Sequence, residues 1–302
     1  MDLEHEAIQT LQLASRMSER YYQKPLLICN SGGKDSLVCL TLALRAGIPF
    51  EVQHSHTTAD APETVYYVRR QMRELELLGV RCETIMPTYK GQRTSMWDLI
   101  ELKGPPVRWS RFCCEKLKET GGKNRAIVTG VRRDESQQRQ DRTDFEVYGK
   151  SKKEAYRIDR DAATEVFEAA DPHALFEHDD AFIRACQVKG KTVCNPILGW
   201  TNADVWGYIR SWHLPYNPLY DEGFCRVGCV GCPMAAKARQ REFARWPAYE
   251  KMYRMAFQRF LTRFASLGKT APWSDVDELW HWWLEDGVLP GQMELEDLDN
   301  GD

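Results

Sequence analysis

The sequence lacks several features that would place the protein in a special class. No uninterrupted apolar run in the 302 residues approaches the roughly 18 residues that a membrane span needs. The acidic, polar start MDLEHEAIQT is unlike a secretory leader. The net charge is only −3, so any nucleic-acid surface must be a local patch. There is no internal repeat. We therefore expect a cytoplasmic protein without membrane contact.

The composition favours a globular protein with an ample core. A hydrophobic fraction of 43% and 10 tryptophans exclude a disordered or fibrous chain. The 10 cysteines are more typical of thiols or metal ligands than of a disulfide framework in a cytosolic protein. Those that stand singly among apolar neighbours are interpreted as core residues, namely Cys29, Cys39, Cys82, Cys186 and Cys194. The others form clusters that need another explanation.

The first half of the chain alternates strand-like and helix-like segments. The apolar run PLLICN ends at a Ser-Gly-Gly turn, and FEVQHSHT alternates as a strand does. The segment PETVYYVRRQMRELELLG begins with proline and ends with glycine, as helices do. Further strands are predicted at VRCETIM and RAIVTGV. This order predicts βαβ units and therefore an α/β fold with a doubly wound parallel sheet.

A glycine-rich loop, NSGGKDS at residues 30–36, stands where the first strand should lead into a helix. Glycines there let the backbone approach phosphate oxygens, and the helix N-terminus favours an anion. The spacing differs from both the ordinary nucleotide loop and the dinucleotide fingerprint. SGGKDS instead resembles the loop of the PP-loop ATP pyrophosphatases.

Two later segments extend this resemblance to the phosphoadenosine phosphosulfate (PAPS) reductase branch of that superfamily. HTTADAPET at 56–64 is similar to its second-strand motif, and GVRRDESQQR at 130–139 is similar to its glycine-arginine segment. The resemblance covers roughly residues 25–235. It implies a Rossmann-like fold of the adenine nucleotide alpha hydrolase type, with a helical C-terminal portion. It also implies binding of ATP or another adenine nucleotide with Mg²⁺.

The same resemblance implies a set of site residues. The nucleotide phosphates would be bound by Ser31, Gly32, Gly33, Lys34, Asp35, Ser36 and Gly130. Lys34 would stabilise charge on the departing pyrophosphate, and Asp35 would hold Mg²⁺ or fix the loop. Arg132 and Arg133 would position an anionic substrate through bidentate contacts. Catalytic roles are thus expected for Lys34, Asp35, Arg132 and Arg133.

The clustered cysteines lie in RFCCEKLKE and GFCRVGCVGCPM. Zinc and iron–sulfur clusters both accept four thiolates, so the spacing leaves the choice open. A tandem pair followed by a C-x-x-C resembles the [4Fe-4S] pattern of adenosine phosphosulfate (APS) reductases and of the DndC-like proteins of DNA phosphorothioation. That resemblance implies ligation by Cys113, Cys114, Cys229 and Cys232, with Cys225 as a rival ligand.

Changes of composition along the chain also predict a domain division. We predict a PP-loop nucleotide-binding domain with the cysteine site at 1–136 and 191–235, and a charged insertion at 137–190. A helical C-terminal region with an acidic tail would follow at 236–302. From Ala235 to Phe264, basic residues alternate with aromatic ones. This pattern suits either nucleic-acid binding or an amphipathic helix whose aromatic side chains pack inward.

Family reductases usually carry a later Glu-Cys-Gly segment whose cysteine attacks sulfur, whereas this sequence has no cysteine after Cys232. We therefore expect an ATP pyrophosphatase that adenylates a nucleic-acid substrate for sulfur transfer, with a sulfur donor such as a cysteine desulfurase. The alternatives are an APS or PAPS reductase that produces sulfite, and a non-catalytic nucleotide sensor. The oligomeric state stays open.

Overall fold

The computed structural model describes residues 2–148, 155–169 and 190–285. The chain forms two compact units. The sheet unit consists of Met1–His54, Glu63–Thr84 and Gly121–Val227. The helical unit consists of Ser55–Pro62, Ile85–Thr120 and Gly228–Asp302. The predicted domain boundaries stay a prediction, and the predicted acidic tail lies outside the described residues.

The described strands and helices follow one another in a largely alternating order. The strands are β1 (Leu26–Cys29), β2 (Phe50–Ser55), β3 (Arg81–Ile85), β4 (Thr88–Tyr89), β5 (Gln92–Arg93), β6 (Arg125–Val128), β7 (Phe145–Tyr148), β8 (Ala155–Ile158) and β9 (Lys191–Cys194). The α-helices are α1 (Leu3–Met17), α2 (Lys34–Arg45), α3 (Pro62–Leu77), α4 (Met96–Lys103), α5 (Arg160–Ala169), α6 (Asn202–Ser211), α7 (Ala238–Arg245), α8 (Pro247–Ser266) and α9 (Val276–Leu284).

The main sheet of the described chain has seven strands in the order β3-β2-β1-β6-β9-β7-β8. Strand β1 pairs in parallel with β2 and β6, and β6 pairs in parallel with β9. Strand β7 is antiparallel to both β9 and β8. The expected α/β fold with a doubly wound, mainly parallel sheet is confirmed. The antiparallel pair β7–β8 at one edge is an addition that the sequence did not predict.

One large core holds the sheet unit together. Helices α1, α2 and α6 contribute Leu11, Val38 and Val205, which pack with Ile28 of β1. Burial of such aliphatic side chains stabilises the fold by about 2 kcal/mol each. The predicted core cysteines Cys39 and Cys194 are buried, and Cys29 and Cys82 are half-buried. Cys186 lies outside the described residues.

The helical unit has an aromatic core. Helix α4 packs against α8, and rings from α7, α8 and α9 meet one another in this core. Its central buried residues are Phe243, Tyr253, Phe257, Trp280 and Trp283. The aromatic residues of the basic stretch therefore pack inward, as the amphipathic alternative expects. No helix among the described residues has the length and hydrophobicity to cross a membrane.

Candidate functional site

The glycine loop connects β1 to α2 in a conformation that only glycine suits. Gly32 has φ +76°, and a Cβ there would lie 2.8 Å from the side chains of Thr64 and Val68. The side-chain amide of Asn217 donates to the Gly32 carbonyl at 3.2 Å. Helix α2 begins directly after Gly33. Because glycine has no side chain, the N-terminus of α2 has no side-chain cap. The backbone of the loop is thus held in place at a helix N-terminus, where an anion is favoured.

Short polar side chains fix the loop from inside. The Ser36 hydroxyl donates to the Gly33 carbonyl at 2.8 Å, and the Ser31 hydroxyl donates to Ser36 at 3.2 Å. The Gly32 N–H donates to the side-chain oxygen of Asn30 at 2.9 Å. These hydrogen bonds fix the backbone of the loop, so little conformational freedom is left to lose when a ligand binds.

A buried ionic triad lies at the start of α2. The Lys34 ammonium is 2.8 Å from one carboxylate oxygen of Asp35, and the Arg132 Nε is 2.7 Å from the other. Lys34 is 7% exposed and Arg132 only 3%. Arg132 also contacts Asp134 at 3.2 Å and the Trp200 carbonyl at 3.3 Å. Lys34 and Arg132 thus share the Asp35 carboxylate at the start of α2, and charged N–H donors of this kind suit a phosphate.

The glycine-arginine segment meets the loop through two of its three predicted residues. A Cβ at Gly130 would lie 2.8 Å from the carbonyl carbon of Asp35, so only glycine lets β6 end this close to α2. Arg132 joins the triad. The exposed Arg133 instead donates to the Arg142 carbonyl at 3.0 Å, and the structure does not bring it to the loop.

Further arginines add positive charge to this part of the sheet unit. The pKa of Arg139 is held below its usual range by partial burial and then by the positive charges of Arg226 and Arg142. A bound anion lowers the electrostatic repulsion between such like charges. Arg139 also pairs with Glu135, and Arg142 pairs with Glu146, which partly offsets this repulsion.

Sequence reasoning missed both Asn217 and Tyr220, which touch the loop directly. The Tyr220 hydroxyl accepts a hydrogen bond from the Lys34 N–H at 3.0 Å. Its ring packs edge-on against Trp206, with ring centroids 5.1 Å apart. Tyr220 lies 186 residues from Lys34, in the turn NPLY after α6. No local pattern connects residues this far apart.

The tandem pair Cys113-Cys114 and the C-x-x-C of Cys229 and Cys232 both belong to the helical unit. Residues Cys114–Lys118 form a single π-helical turn. The Glu119 N–H donates to the Cys114 carbonyl at 3.0 Å and closes this turn. Turns of this π type are frequent at functional sites. In the second segment, the Val230 N–H donates to the Ala59 carbonyl at 2.8 Å. This bond fixes the backbone between the cysteines of C-x-x-C.

Gly231 is required for the second segment to turn. It has φ +74°, and a Cβ there would lie 2.7 Å from the rings of Phe243 and Tyr253. Its N–H donates to the Glu242 carboxylate at 2.7 Å. The aromatic core thus supports the segment that carries Cys229 and Cys232.

The four predicted ligand cysteines influence one another electrostatically. Cys113 and Cys229 are each 8% exposed, and Cys114 and Cys232 are half-buried. A hydrogen bond from Cys113, aided by the positive charges of Lys118 and Arg111, lowers the pKa of Cys114 to about 6. The same hydrogen bond, burial and the charges of the other three cysteines raise the pKa of Cys113. We define this group, Cys113, Cys114, Cys229 and Cys232, as the cysteine pocket.

Polar neighbours complete the pocket. The Cys229 thiol donates to the Thr57 hydroxyl at 3.3 Å, and burial raises the Cys229 pKa. In the described part of the chain, no three cysteine sulfurs lie close enough to hold a single metal ion. A zinc ion binds each thiolate sulfur at about 2.3 Å, so its ligand sulfurs must lie close together around the ion. The rival ligand Cys225 is exposed and belongs to the sheet unit.

Comparison with known proteins gives a consistent family. A family model described as the phosphoadenosine phosphosulfate reductase domain matches residues 25–235. An uncharacterized protein of Methanocaldococcus jannaschii is 28% identical over 83% of this chain and 50% of its own length. An adenosine 5'-phosphosulfate reductase of Lysinibacillus sphaericus is 24% identical over 73% of this chain and 78% of its own.

The chain spans about half the length of two archaeal relatives that it matches. A crystal structure of phosphoadenylyl-sulfate (PAPS) reductase from Candida auris aligns with a TM-score of 0.40 and 18% identity, covering 68% of this chain and 80% of that one. The family model covers more than two thirds of the 302 residues and includes both the glycine loop and the cysteine pocket. This chain therefore belongs to the phosphoadenosine phosphosulfate reductase domain family.

Proposed function

We propose that this protein binds ATP with Mg²⁺ at the glycine loop and transfers the adenylyl group to a nucleic-acid oxygen, which activates that position for sulfur transfer. The observation that carries the proposal is the preorganised loop at the start of α2 together with the buried Lys34–Asp35–Arg132 triad. Such a loop binds phosphate through backbone N–H groups and the helix dipole.

The reaction would be an in-line displacement at the α-phosphorus of ATP. A substrate oxygen forms a bond to that phosphorus, and the bond from phosphorus to the bridging oxygen of the β-phosphate breaks. Pyrophosphate leaves with the electron pair, and the proton of the attacking hydroxyl passes to solvent. Lys34 and Arg132 would stabilise the charge that grows on the pyrophosphate, which is the principal contribution of a protein to phosphoryl transfer.

Asp35 has a positioning role in this arrangement. Both of its carboxylate oxygens bind cations of the triad, at 2.8 Å to Lys34 and 2.7 Å to Arg132. It therefore holds the two catalytic cations at the end of α2. As the carboxylate of the loop, it is also the group that would hold Mg²⁺, whose positive charge would further neutralise the phosphates.

The cysteine pocket fits a [4Fe-4S] cluster by its donor set. Four thiols share the pocket, and Lys118 and Arg111 offset negative charge on Cys114. A C-x-x-C turned at Gly231 has its backbone fixed by the neighbouring core. Cys113, Cys114, Cys229 and Cys232 would hold the cluster, which when bound would supply iron that binds sulfur. The sulfur itself would come from a donor such as a cysteine desulfurase.

An exposed tryptophan supports the nucleic-acid part of the proposal. Trp109 is the most exposed aromatic side chain among the described residues of the helical unit, at 57%. It lies between the exposed Arg108 and Arg111, a few residues before Cys113. Aromatic rings flanked by arginine bind single-stranded nucleic acid by base stacking and phosphate contacts. Other exposed basic residues of the helical unit are Lys237, Arg241, Arg245 and Arg259.

A second candidate is the reduction of APS or PAPS to sulfite. It is favoured by the similarity to the Lysinibacillus adenosine 5'-phosphosulfate reductase, which extends over 78% of that protein. The glycine loop and the Lys34–Asp35–Arg132 triad together form the phosphate cradle of this protein. It would bind a sulfonucleotide equally well, because both ligands carry an adenylyl phosphate. The two candidates differ in their products.

The test uses anaerobically purified protein and two parallel reactions. In the first, ATP labelled at the α-phosphate is incubated with Mg²⁺ and single-stranded DNA or RNA. We expect label on the nucleic acid and an equal amount of pyrophosphate. In the second, APS or PAPS is incubated with reduced thioredoxin, which supplies the two electrons for sulfite formation. Sulfite there, without label transfer in the first reaction, would replace the proposed function with the second candidate.

A further inference from the structure

The Tyr220 hydroxyl occupies an unusual position at the glycine loop. It accepts the N–H of Lys34, the first residue of α2, at 3.0 Å. This N–H is one of the donors that a helix start leaves without a backbone partner. In phosphate-binding loops such donors point at the ligand. A tyrosine thus meets the loop where a phosphate oxygen would bind.

The hydroxyl still has a proton to donate. A tyrosine hydroxyl both accepts and donates, and within residues 2–148, 155–169 and 190–285 its one hydrogen bond is the one that it accepts. Burial raises the pKa of Tyr220 to about 12, so the proton is retained at neutral pH. The donor therefore lacks an acceptor among the described residues.

The ring holds this donor at the rim of the loop. Trp206 and Tyr216 pack edge-on against Tyr220, with centroids 5.1 Å and 6.4 Å away. A Cβ built on Gly33 would lie 3.4 Å from the Tyr220 oxygen, so the hydroxyl faces the glycine backbone directly. Because the ring is fixed on two sides, little conformational entropy is lost when the hydroxyl binds a ligand.

We propose that Tyr220 is a phosphate-binding residue whose hydroxyl accepts the Lys34 N–H and donates its proton to a non-bridging oxygen of the bound phosphate chain. The inference rests on the proposed function, because it takes the anion at the loop to be that of a nucleotide. It assigns part of phosphate recognition to the turn after α6, outside the glycine motif. The cations of Lys34 and Arg132 supply charge, and Tyr220 supplies a directional hydrogen bond.

The test compares Tyr220→Phe with Tyr216→Phe. The first removes the hydroxyl and keeps the ring. The second is a matched control, because the Tyr216 hydroxyl donates to Asp221 at 2.7 Å rather than to the loop. Calorimetry would measure the binding of pyrophosphate, ATP and adenosine to each variant of the full chain, and thermal melting without ligand would report folding.

We expect Tyr220→Phe to weaken pyrophosphate and ATP binding roughly 10- to 100-fold, the loss typical of a hydrogen bond to a charged group. Adenosine binding and the behaviour of Tyr216→Phe should match the wild type. Equal losses for adenosine and pyrophosphate, or unchanged pyrophosphate affinity, would overturn the inference. A lowered melting temperature with unchanged affinity would assign Tyr220 a purely structural role, which also overturns it.

The outcomes separate this inference from the proposed function. Wild-type protein that binds neither ATP nor pyrophosphate would overturn both. Pyrophosphate binding that depends on Tyr220, without adenylyl transfer to any nucleic acid, would support the inference and contradict the proposed function.

Discussion

The phosphate cradle of the sheet unit lies mainly within the 7 consecutive residues 30–36, whereas the cysteine pocket of the helical unit combines two segments separated by 115 positions, from Cys114 to Cys229. The cradle relies on backbone groups, a helix N-terminus and serine hydroxyls that bond within the loop. The pocket relies on side-chain sulfurs whose protonation depends on one another. The first is preorganised by local geometry, and the second is assembled by tertiary packing.

This difference has a functional consequence. A loop held by its own hydrogen bonds keeps its shape before the ligand arrives, so little binding energy is used in ordering it. Thiols gathered by packing repel one another once ionised, and a metal centre relieves that repulsion because it binds the deprotonated form. We therefore expect substitutions in the cradle to change reaction rates and substitutions in the pocket to change metal content.

The largest effect is expected for Lys34→Ala. Removing a preorganised cation that faces developing charge should slow pyrophosphate release by about 100- to 1000-fold. Asp35 keeps its Arg132 partner, so the fold and the iron content should be retained. Pyrophosphate release from ATP is the measurement, and the exposed Lys24 gives a matched control as Lys24→Ala. Loss of iron from Lys34→Ala would show that the two sites are not separable in this way.

A substitution in the cysteine pocket should change the metal content. Cys229→Ser replaces a buried thiol and should lower the iron content from about four per chain to less than about one. Cys225→Ser changes an exposed cysteine of the sheet unit and should keep the full content. Anaerobic iron and labile-sulfide analysis measures both. Equal losses in the two variants would make Cys225 a ligand, and stoichiometric zinc in the wild type would contradict the cluster.

Gly130→Ala tests how closely the cradle is packed. The added Cβ would lie 2.8 Å from the carbonyl carbon of Asp35, and this overpacking should lower the free energy of unfolding by about 1–3 kcal/mol. Gly199→Ala is the control, because a Cβ there meets nothing within 4 Å. Denaturant titration compares the two. Similar stabilities would mean that β6 moves away from α2 at little cost.

The smallest effect is expected at the surface. Trp109→Ala should weaken the affinity for single-stranded nucleic acid by about 10-fold, as loss of one stacked base does. Trp212 is also an exposed tryptophan beside an arginine, Arg45, but belongs to the sheet unit. Fluorescence anisotropy should therefore show an unchanged affinity for Trp212→Ala. An effect of the same size in both variants would show that Trp109 has no specific base-stacking role.

The parts of the fold that were predictable are those in which neighbours along the chain also lie close in space. The strand β1, the glycine loop and α2 form one continuous segment, and its motif predicts both the turn and the ligand class. Strands β7 and β8 lie in a highly charged stretch. These short strands are stabilised by pairing within the sheet, β8 with β7 and β7 with β9. Sequence pattern does not show such a partner.

The site shows the same limit at the level of single residues. Arg132 and Arg133 are neighbours in sequence, yet only the buried Arg132 reaches Asp35. The backbone of Arg132 is extended, whereas Arg133 begins a short 3-10 helix. Tyr220 reaches Lys34 only through the turn after α6. The hydrophobic periodicity of the sequence also does not show which aromatic residues of the helical unit are buried. Tyr253 is completely buried, and Trp109 is not.

The most direct test of the central claim is the position at which ATP is cleaved. Phosphorus NMR of ATP and Mg²⁺ with the protein and a single-stranded nucleic acid would identify the products. We expect pyrophosphate together with an adenylylated product or AMP, formed about 100- to 1000-fold more slowly with Lys34→Ala. ADP with inorganic phosphate would contradict adenylyl transfer, as would intact ATP under conditions in which APS yields sulfite.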